Sequence, residues 1–312
     1  MQVLKKVLII AAVSISMLAS ASGRCRADDG DVFNVSAKAA VVMDAATGQV
    51  ILSKNRDLAL PPASTTKVMT AIVALEKARL DDSYKVSKAA STTAPSKVYL
   101  KPGDEITVEA LLYALLLKSA NDSAVAIAEG VAGSEAGFAR LMTEKAREIG
   151  AKNTNFMNAS GLPADDHYST AYDLALIMRY ALNDPRFVEI SSTKFATLNM
   201  GEKDKMLLKN HNRLLWYYDG AGAGKTGYTV AARHCYVGEA NCSNVRLIVA
   251  MLGSNSMWTD TKKLLDKGFE LAMTGQTLAL ADTNDPPIMK KATYHRSKKA
   301  RGHRHKRRRR RS

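Results

Sequence analysis

Pro61-Pro62-Ala63-Ser64-Thr65-Thr66-Lys67-Val68-Met69-Thr70 is the stretch around which the rest of the 312-residue chain is organised. Two prolines stiffen the approach. The apolar positions Val68, Ile72 and Leu75 recur at helical spacing, so Ser64 is expected at a helix N-terminus. Residues three apart share a helix face, which brings the Lys67 amine within reach of the Ser64 hydroxyl. A serine hydroxyl is a poor nucleophile until a base takes its proton, and a lysine is that base only when neutral. Its pKa must then fall from about 10.4 to about 7, which takes about 4 kcal/mol of environment. A second cation and exclusion of water are the usual means, so partners are expected further along the chain. Alone, S-x-x-K is a weak signal, because a serine ahead of a helix is more often a plain cap.

The strands expected around this stretch place it in a fold. Ala39-Ala40-Val41-Val42-Met43-Asp44 and Gln49-Val50-Ile51-Leu52 flank the turn Ala45-Ala46-Thr47-Gly48 and read as a hairpin. Cys235-Tyr236-Val237-Gly238 and Arg246-Leu247-Ile248-Val249-Ala250-Met251 read as a second strand pair, followed by a helix over about 258–273. Residues 81–105 are polar and turn-rich. From 107 to about 183 the pattern is mostly helical, with apolar faces such as Leu111, Leu112, Leu115 and Leu116. Strands at both ends of the body with helices between them predict an α+β fold. It has one antiparallel sheet flanked by helices and an inserted helical lobe over about 81–200. No internal repeat is present.

The ends of the chain are not part of that body. Lys5 and Lys6 precede the apolar run Val7-Leu8-Ile9-Ile10-Ala11-Ala12-Val13, and small residues come after it, which reads as a secretory signal peptide over 1–27 cut after Ala21 or as late as Ala27. The run is shorter than the roughly 20 apolar residues a membrane span needs. Arg24 before Cys25 argues against a lipoprotein cleavage site. The net charge of +15 is a property of the ends: 290–312 holds 13 Lys and Arg with no acid, and 1–27 holds four more. The remaining body has 28 basic against 30 acidic residues and is nearly neutral, which argues against a nucleic-acid-binding surface. The body is expected to be one catalytic domain over 28–275, with a linker over 276–289 and a disordered basic tail over 290–312. Export would expose that tail to anionic envelope polymers or lipid headgroups, not to nucleic acid. Export also permits a disulfide, but Cys235 and Cys242 are the two cysteines in the body, and two make no framework.

Two further signals carry chemistry. Lys118-Ser119-Ala120-Asn121-Asp122 lies between expected helices; in an extended connection Ser119 and Asn121 point the same way and face one cleft. Serine and asparagine are equally at home as ordinary caps and helix breakers. Gly220-Ala221-Gly222-Ala223-Gly224-Lys225-Thr226-Gly227-Tyr228-Thr229 nearly reads as a phosphate-binding loop. That motif needs glycine six positions before the lysine, where this chain has Asp219, and the residues after the lysine favour a strand over a helix. There is no H-E-x-x-H and no C-x-x-C, and His167, His211 and His234 read as structural.

S-x-x-K at Ser64, S-x-N at Ser119 and K-T-G at Lys225 stand in the order of the penicillin-recognising serine enzymes. With Leu100-Lys101-Pro102-Gly103-Asp104, Asn158-Ala159-Ser160-Gly161-Leu162, His167-Tyr168-Ser169-Thr170-Ala171 and Lys225-Thr226-Gly227-Tyr228-Thr229, the chain resembles the D-alanyl-D-alanine carboxypeptidases, the low-molecular-mass penicillin-binding proteins, over about 38–273. The resemblance implies a β-lactamase-like transpeptidase fold and an exported, periplasmic or envelope-associated hydrolase acting on peptidoglycan stem peptides. It implies β-lactams as inhibitors and no metal or other cofactor. It assigns Ser64 as nucleophile, Lys67 as its base and Ser119 as proton relay. Asn121 would hold the substrate amide and Lys67, and Lys225 and Thr226 the terminal carboxylate. Gly227 would allow close approach, and the Ser64 and Tyr228 N–H groups would form the oxyanion hole. Arg233-His234 departs from relatives that carry glycine there. Competing readings are a D,D-endopeptidase with the same serine chemistry, a class A β-lactamase and a polyanion-binding protein with an inactive body. Ala120 inside the second motif and the lack of an E-x-x-L-N stretch argue against the β-lactamase. The intact motif triplet argues against the inactive body.

Overall fold

The computed structural model describes residues 34–199 and 205–280. The expected leader over 1–27 and tail over 290–312 lie outside the described residues. Strands β1 (Ala39–Asp44) and β2 (Val50–Lys54) form the first hairpin. Its turn is tied by the Asp44 carboxylate, which accepts from the Thr47 N–H at 2.7 Å and the Thr47 hydroxyl at 2.8 Å. A 3-10 turn, Ala63–Thr66, then leads into α1 (Lys67–Lys77). Ser64 thus sits on the 3-10 turn, one turn ahead of the α-helix that the sequence reading began at Ser64. The reason is local: Pro62 offers its carbonyl to both the Thr65 N–H (3.3 Å) and the Thr65 hydroxyl (2.7 Å), which closes the tighter turn. Helix α1 is buried from Lys67 through Leu75, as an all-round apolar helix must be.

The polar stretch after α1 forms a small ribbon, β3 (Ser83–Lys85) with β4 (Glu105–Thr107), around the short helix α2 (Lys88–Thr92). Helices α3 (Val108–Leu117), α4 (Asn121–Ala132) and α5 (Glu135–Ile149) come next, the first and last capped by the hydroxyls of Thr107 and Ser134. Gly150 ends α5, and residues 151–170 are a loop within the stretch read as mostly helical. Two capped helices, α6 (Ala171–Ala181) and α7 (Pro185–Ser192), lead to the ribbon β5 (Phe195–Asn199) and β6 (Lys205–Lys209), which the sequence reading did not anticipate. Its strands are exposed on alternate residues and carry no long apolar run.

After α8 (Leu214–Tyr217) come β7 (Ala221–Thr229), β8 (Arg233–Cys242), β9 (Val245–Ser254), α9 (Met257–Thr274) and β10 (Leu278–Ala279). The sheet order is β10-β2-β1-β9-β8-β7, antiparallel except between β10 and β2. The two strand groups from the ends of the body therefore join, with β1 beside β9, as the sequence pattern implied. Helices cover both faces, which is why β1 reads as a continuous apolar run. Ala39, Val41 and Met43 pack into the core on the side of α1 and α6, while Ala40 and Val42 pack on the side of α9. Strand β7 is the sheet's outer edge on the first side, and the Ser64 turn lies against it.

Candidate active site

Lys67 is fully buried, and three oxygens converge on its amine. Nζ donates to Asn121 Oδ1 at 2.7 Å and to the Ser160 carbonyl at 2.6 Å, and lies 3.0 Å from Ser64 Oγ. A neutral amine has two N–H groups and one lone pair. In that neutral form the two carbonyl oxygens can take the two N–H groups, which would leave the lone pair for the Ser64 hydroxyl. Burial, and then the charge of Lys225, hold the Lys67 pKa well below the ordinary lysine range, against the opposing pull of Asp122 and Glu135. No ion pair to Lys67 is present among the described residues, which leaves burial unopposed by a close anion.

Asn121 is held in the orientation this requires. Its Nδ2 donates to the Ala94 carbonyl at 2.9 Å, so Oδ1 is the atom presented to Lys67, and its backbone N–H donates to the Ser96 carbonyl at 2.7 Å. The Asp122 carboxylate accepts from the Val98 and Leu100 N–H groups at 3.1–3.2 Å and ties the 94–100 segment to the start of α4. Ser119 lies at the turn between α3 and α4, buried, with φ +59°. The extended connection read from the sequence is therefore absent: Ser119 is left-handed and Asn121 is the first residue of a helix. Two helices joined by so short a link need one residue to reverse the chain, and a non-glycine residue there costs about 1–2 kcal/mol. The Ser119 hydroxyl has no hydrogen-bond partner among the described residues.

Along β7, Lys225 and Gly227 share the face turned toward the Ser64 turn, and Thr226 and Tyr228 the other. Burial draws the Lys225 pKa down to about 7, and its ammonium donates to the Thr226 carbonyl at 2.7 Å. A Cβ at Gly227 would come 2.9 Å from the Ser64 nitrogen, so only glycine lets the edge strand lie this close to the turn. Thr226 is half-buried and Tyr228 exposed. The segment is a strand leading directly into a hairpin, which removes the helix N-terminus that a phosphate loop requires. Beyond it Arg233 adopts φ +54° and donates to Asn255 Oδ1 at 2.9 Å, while His234 stacks beside Tyr228 with ring centres 4.7 Å apart.

The Ser160 carbonyl was not foreseen as part of the site, because a backbone oxygen has no side-chain signature. Its loop is rigid for visible reasons. Asn158 Oδ1 accepts from the Ser160 and Gly161 N–H groups at 3.1 and 2.8 Å, and Asn158 Nδ2 donates to the Leu162 carbonyl at 2.9 Å. The Ala159 carbonyl accepts from Thr70 Oγ1 at 2.6 Å, and its N–H donates to Glu135 Oε1 at 3.1 Å. Gly161 has φ +80°, and a Cβ there would sit 1.9 Å from the Ala63 carbonyl. The one sequence signal was the N-A-S-G-L stretch itself. His167 braces the same loop from the other side. Its Nδ1 accepts from the Met157 N–H at 3.2 Å, so Nε2 carries the proton and donates to Thr66 Oγ1 at 2.9 Å. Burial lowers its pKa to about 4, which keeps that arrangement neutral. Cys235 is a buried free thiol beside the Pro61 and Ala232 carbonyls, at the end of β8 opposite Cys242, so the two are not joined.

Residues 26–256 match the family described as D-alanyl-D-alanine carboxypeptidase. The chain is similar to the D-alanyl-D-alanine carboxypeptidase DacF of Bacillus subtilis, 37% identical over 225 residues, which covers 70% of this chain and 58% of that relative. To DacB2 of Mycobacterium tuberculosis it is 37% identical over 239 residues, covering 74% of this chain and 81% of the relative. A crystal structure of a D-alanyl-D-alanine carboxypeptidase from Mycobacterium tuberculosis matches with a TM-score of 0.74 and 34% identity. The match covers 78% of this chain and 95% of that one. The chain thus spans less than two thirds of the length of the Bacillus relative.

Proposed function

Because this chain belongs to the D-alanyl-D-alanine carboxypeptidase family, we propose that it removes the terminal D-alanine from peptidoglycan stem peptides through an acyl-enzyme on Ser64. The observation that carries this reading is the buried Lys67 amine, 3.0 Å from Ser64 Oγ and held by the Asn121 and Ser160 carbonyl oxygens at 2.7 and 2.6 Å. Lys67 takes the Ser64 proton as Oγ attacks the carbonyl between the two D-alanines. The oxyanion is held by the N–H groups of Ser64 and Tyr228, at about 3 kcal/mol per donor. The C–N bond then breaks, and the departing amine takes its proton from the Lys67 ammonium by way of the Ser119 hydroxyl. Water attacks the ester with Lys67 again as base, and Ser64 is released.

Lys225 and Thr226 hold the terminal carboxylate, and Asn121 holds the substrate amide. The two lysines need opposite protonation states. Lys67 must be neutral to act and Lys225 charged to bind an anion, so activity should rise and then fall with pH. The oxygen that the 158–162 loop presents to Lys67 is a backbone carbonyl, not a carboxylate that could activate water for deacylation. A β-lactam acyl group on Ser64 should therefore be long-lived.

Export through the 1–27 leader to the periplasm or envelope, and retention there by electrostatic contact of the 290–312 tail with anionic polymers or headgroups, belong to the same proposal and rest on sequence composition. The reaction is tested by mass spectrometry of stem peptides after incubation with the enzyme. Loss of one alanine from a pentapeptide is the expected result. Conversion of cross-linked dimers to monomers, with pentapeptides untouched, would replace the reading by a D,D-endopeptidase.

A further inference from the structure

Two acids favour the charged form of Lys67, Asp122 and Glu135. Asp122 spends its carboxylate on the N–H groups of Val98, Leu100 and Ser123, so its place is structural. Glu135 is bound differently. It is the first residue of α5, half-buried, and makes no ion pair among the described residues. Its Oε1 accepts from the Ala159 N–H at 3.1 Å. The carbonyl of that same residue accepts from Thr70 Oγ1 at 2.6 Å, and Thr70 lies three residues after Lys67, on the same face of α1. Residue 159 is therefore gripped from two helices, and the next carbonyl, that of Ser160, lies 2.6 Å from the Lys67 amine. Burial, opposed by the Ala159 N–H bond, raises the Glu135 pKa; Glu129 on α4 raises it further and Lys67 lowers it. Lys67 is also faced by the Lys225 cation on β7 and by His167, which burial keeps neutral.

We propose that Glu135 is a positioning residue with two separable effects on the Ser64–Lys67 pair. Its oxygen fixes the peptide that carries the Ser160 carbonyl, and its charge sets where on the pH scale acylation begins. That charge disfavours the neutral amine, yet it stabilises the ammonium formed when Lys67 takes the Ser64 proton. The inference rests on the acyl-enzyme reading, and the assay keeps the two apart. The rate of Ser64 acylation by a β-lactam is followed against pH in the wild type, Glu135→Gln and Glu135→Ala. A glutamine oxygen still accepts from the Ala159 N–H but carries no charge; alanine removes both.

In Glu135→Gln the acidic limb should move to lower pH by about half a unit, roughly threefold faster acylation on that limb, while the basic limb stays in place. Glu135→Ala should show the same shift and a plateau about tenfold lower, the scale of one lost hydrogen bond to a charged group. The glutamine variant should recover most of that plateau. An acidic limb unmoved in Glu135→Gln overturns the proposal, and so does a plateau in Glu135→Ala equal to that of the wild type. A lower melting temperature in Glu135→Ala with the wild-type pH profile would show a purely structural role and also overturns it. Absence of labelling at Ser64 in the wild type overturns the acyl-enzyme reading itself and this inference with it.

Discussion

On the α9 face of the sheet, Val42, Leu247, Val249 and Met251 meet Leu264, Leu265 and Phe269 in a core of apolar side chains. Its buried acid, Asp260, accepts from the hydroxyls of Ser36 and Ser254 at 2.6 and 2.7 Å. On the opposite face the alternate residues of the same strands, Val41, Met43, Ile248 and Ala250, pack into a core whose helices bring in Lys67 and Asn121 and whose 151–170 loop brings in His167, all buried, with Lys225 buried at the sheet edge. Neither lysine makes an ion pair among the described residues. A buried cation without an anion destabilises a fold, and the same desolvation is what holds its pKa down. One face thus supplies stability, and the other gives some up to keep an amine neutral.

Four substitutions put that contrast at risk. Ser64→Ala should abolish covalent labelling by a β-lactam and leave thermal stability within a few degrees of the wild type. Residual labelling at another residue would mean that Ser64 is not the nucleophile. Lys67→Met keeps the volume and removes the amine. Acylation should fall by about 10²–10⁴, as for loss of a general base, while the melting temperature stays level or rises. A large fall in stability would show that the three contacts of Lys67 hold the fold together rather than burden it.

Phe269→Ala, on the other face, should cost about 3–5 kcal/mol of stability with kcat/KM per folded molecule unchanged. Denaturant unfolding beside active-site titration measures both. A matching loss of activity would mean that the two faces are not separable.

Lys225→Met should weaken substrate binding, because it removes the cation on the terminal carboxylate, and its smallest and most informative effect should be on the pH–rate profile. Lys67 must be neutral to act, and the Lys225 cation helps to depress its pKa. Without that cation the acidic limb of the pH–rate profile should move up, by about one pH unit or less. The stability consequence has a definite sign. With folded pKa values below the unfolded 10.4, the unfolded chain binds more protons between about pH 7 and 10, so wild-type stability rises with pH there. The variant should show a shallower rise in melting temperature over that window. An unmoved acidic limb would mean that burial alone tunes Lys67.

The order of the three motifs was readable because each depends on side-chain type at fixed spacing: a hydroxyl three before an amine, a hydroxyl two before an amide, an amine two before a glycine. The strands that join into one sheet were readable because β1 and β9 are covered on both faces and so are apolar without a break. The ribbon of β5 and β6 was not, because half of each strand faces solvent and its pattern is that of a polar loop.

What folding alone settled is the placement of backbone. That Ser64 lies on a 3-10 turn, that Ser119 is left-handed, and that the Ser160 carbonyl takes the second N–H of Lys67 all depend on atoms every residue carries. A carbonyl oxygen is chemically identical at each position, so its function is set by what packs around it. Here that packing is Asn158 bracing the loop from within, with Gly161 and Gly227 leaving room for two chains to close on Ser64. The side chains were legible in the residue string because their chemistry is local; their mutual distances were not, because residues 64, 121, 160 and 225 meet only once the sheet and helices have packed.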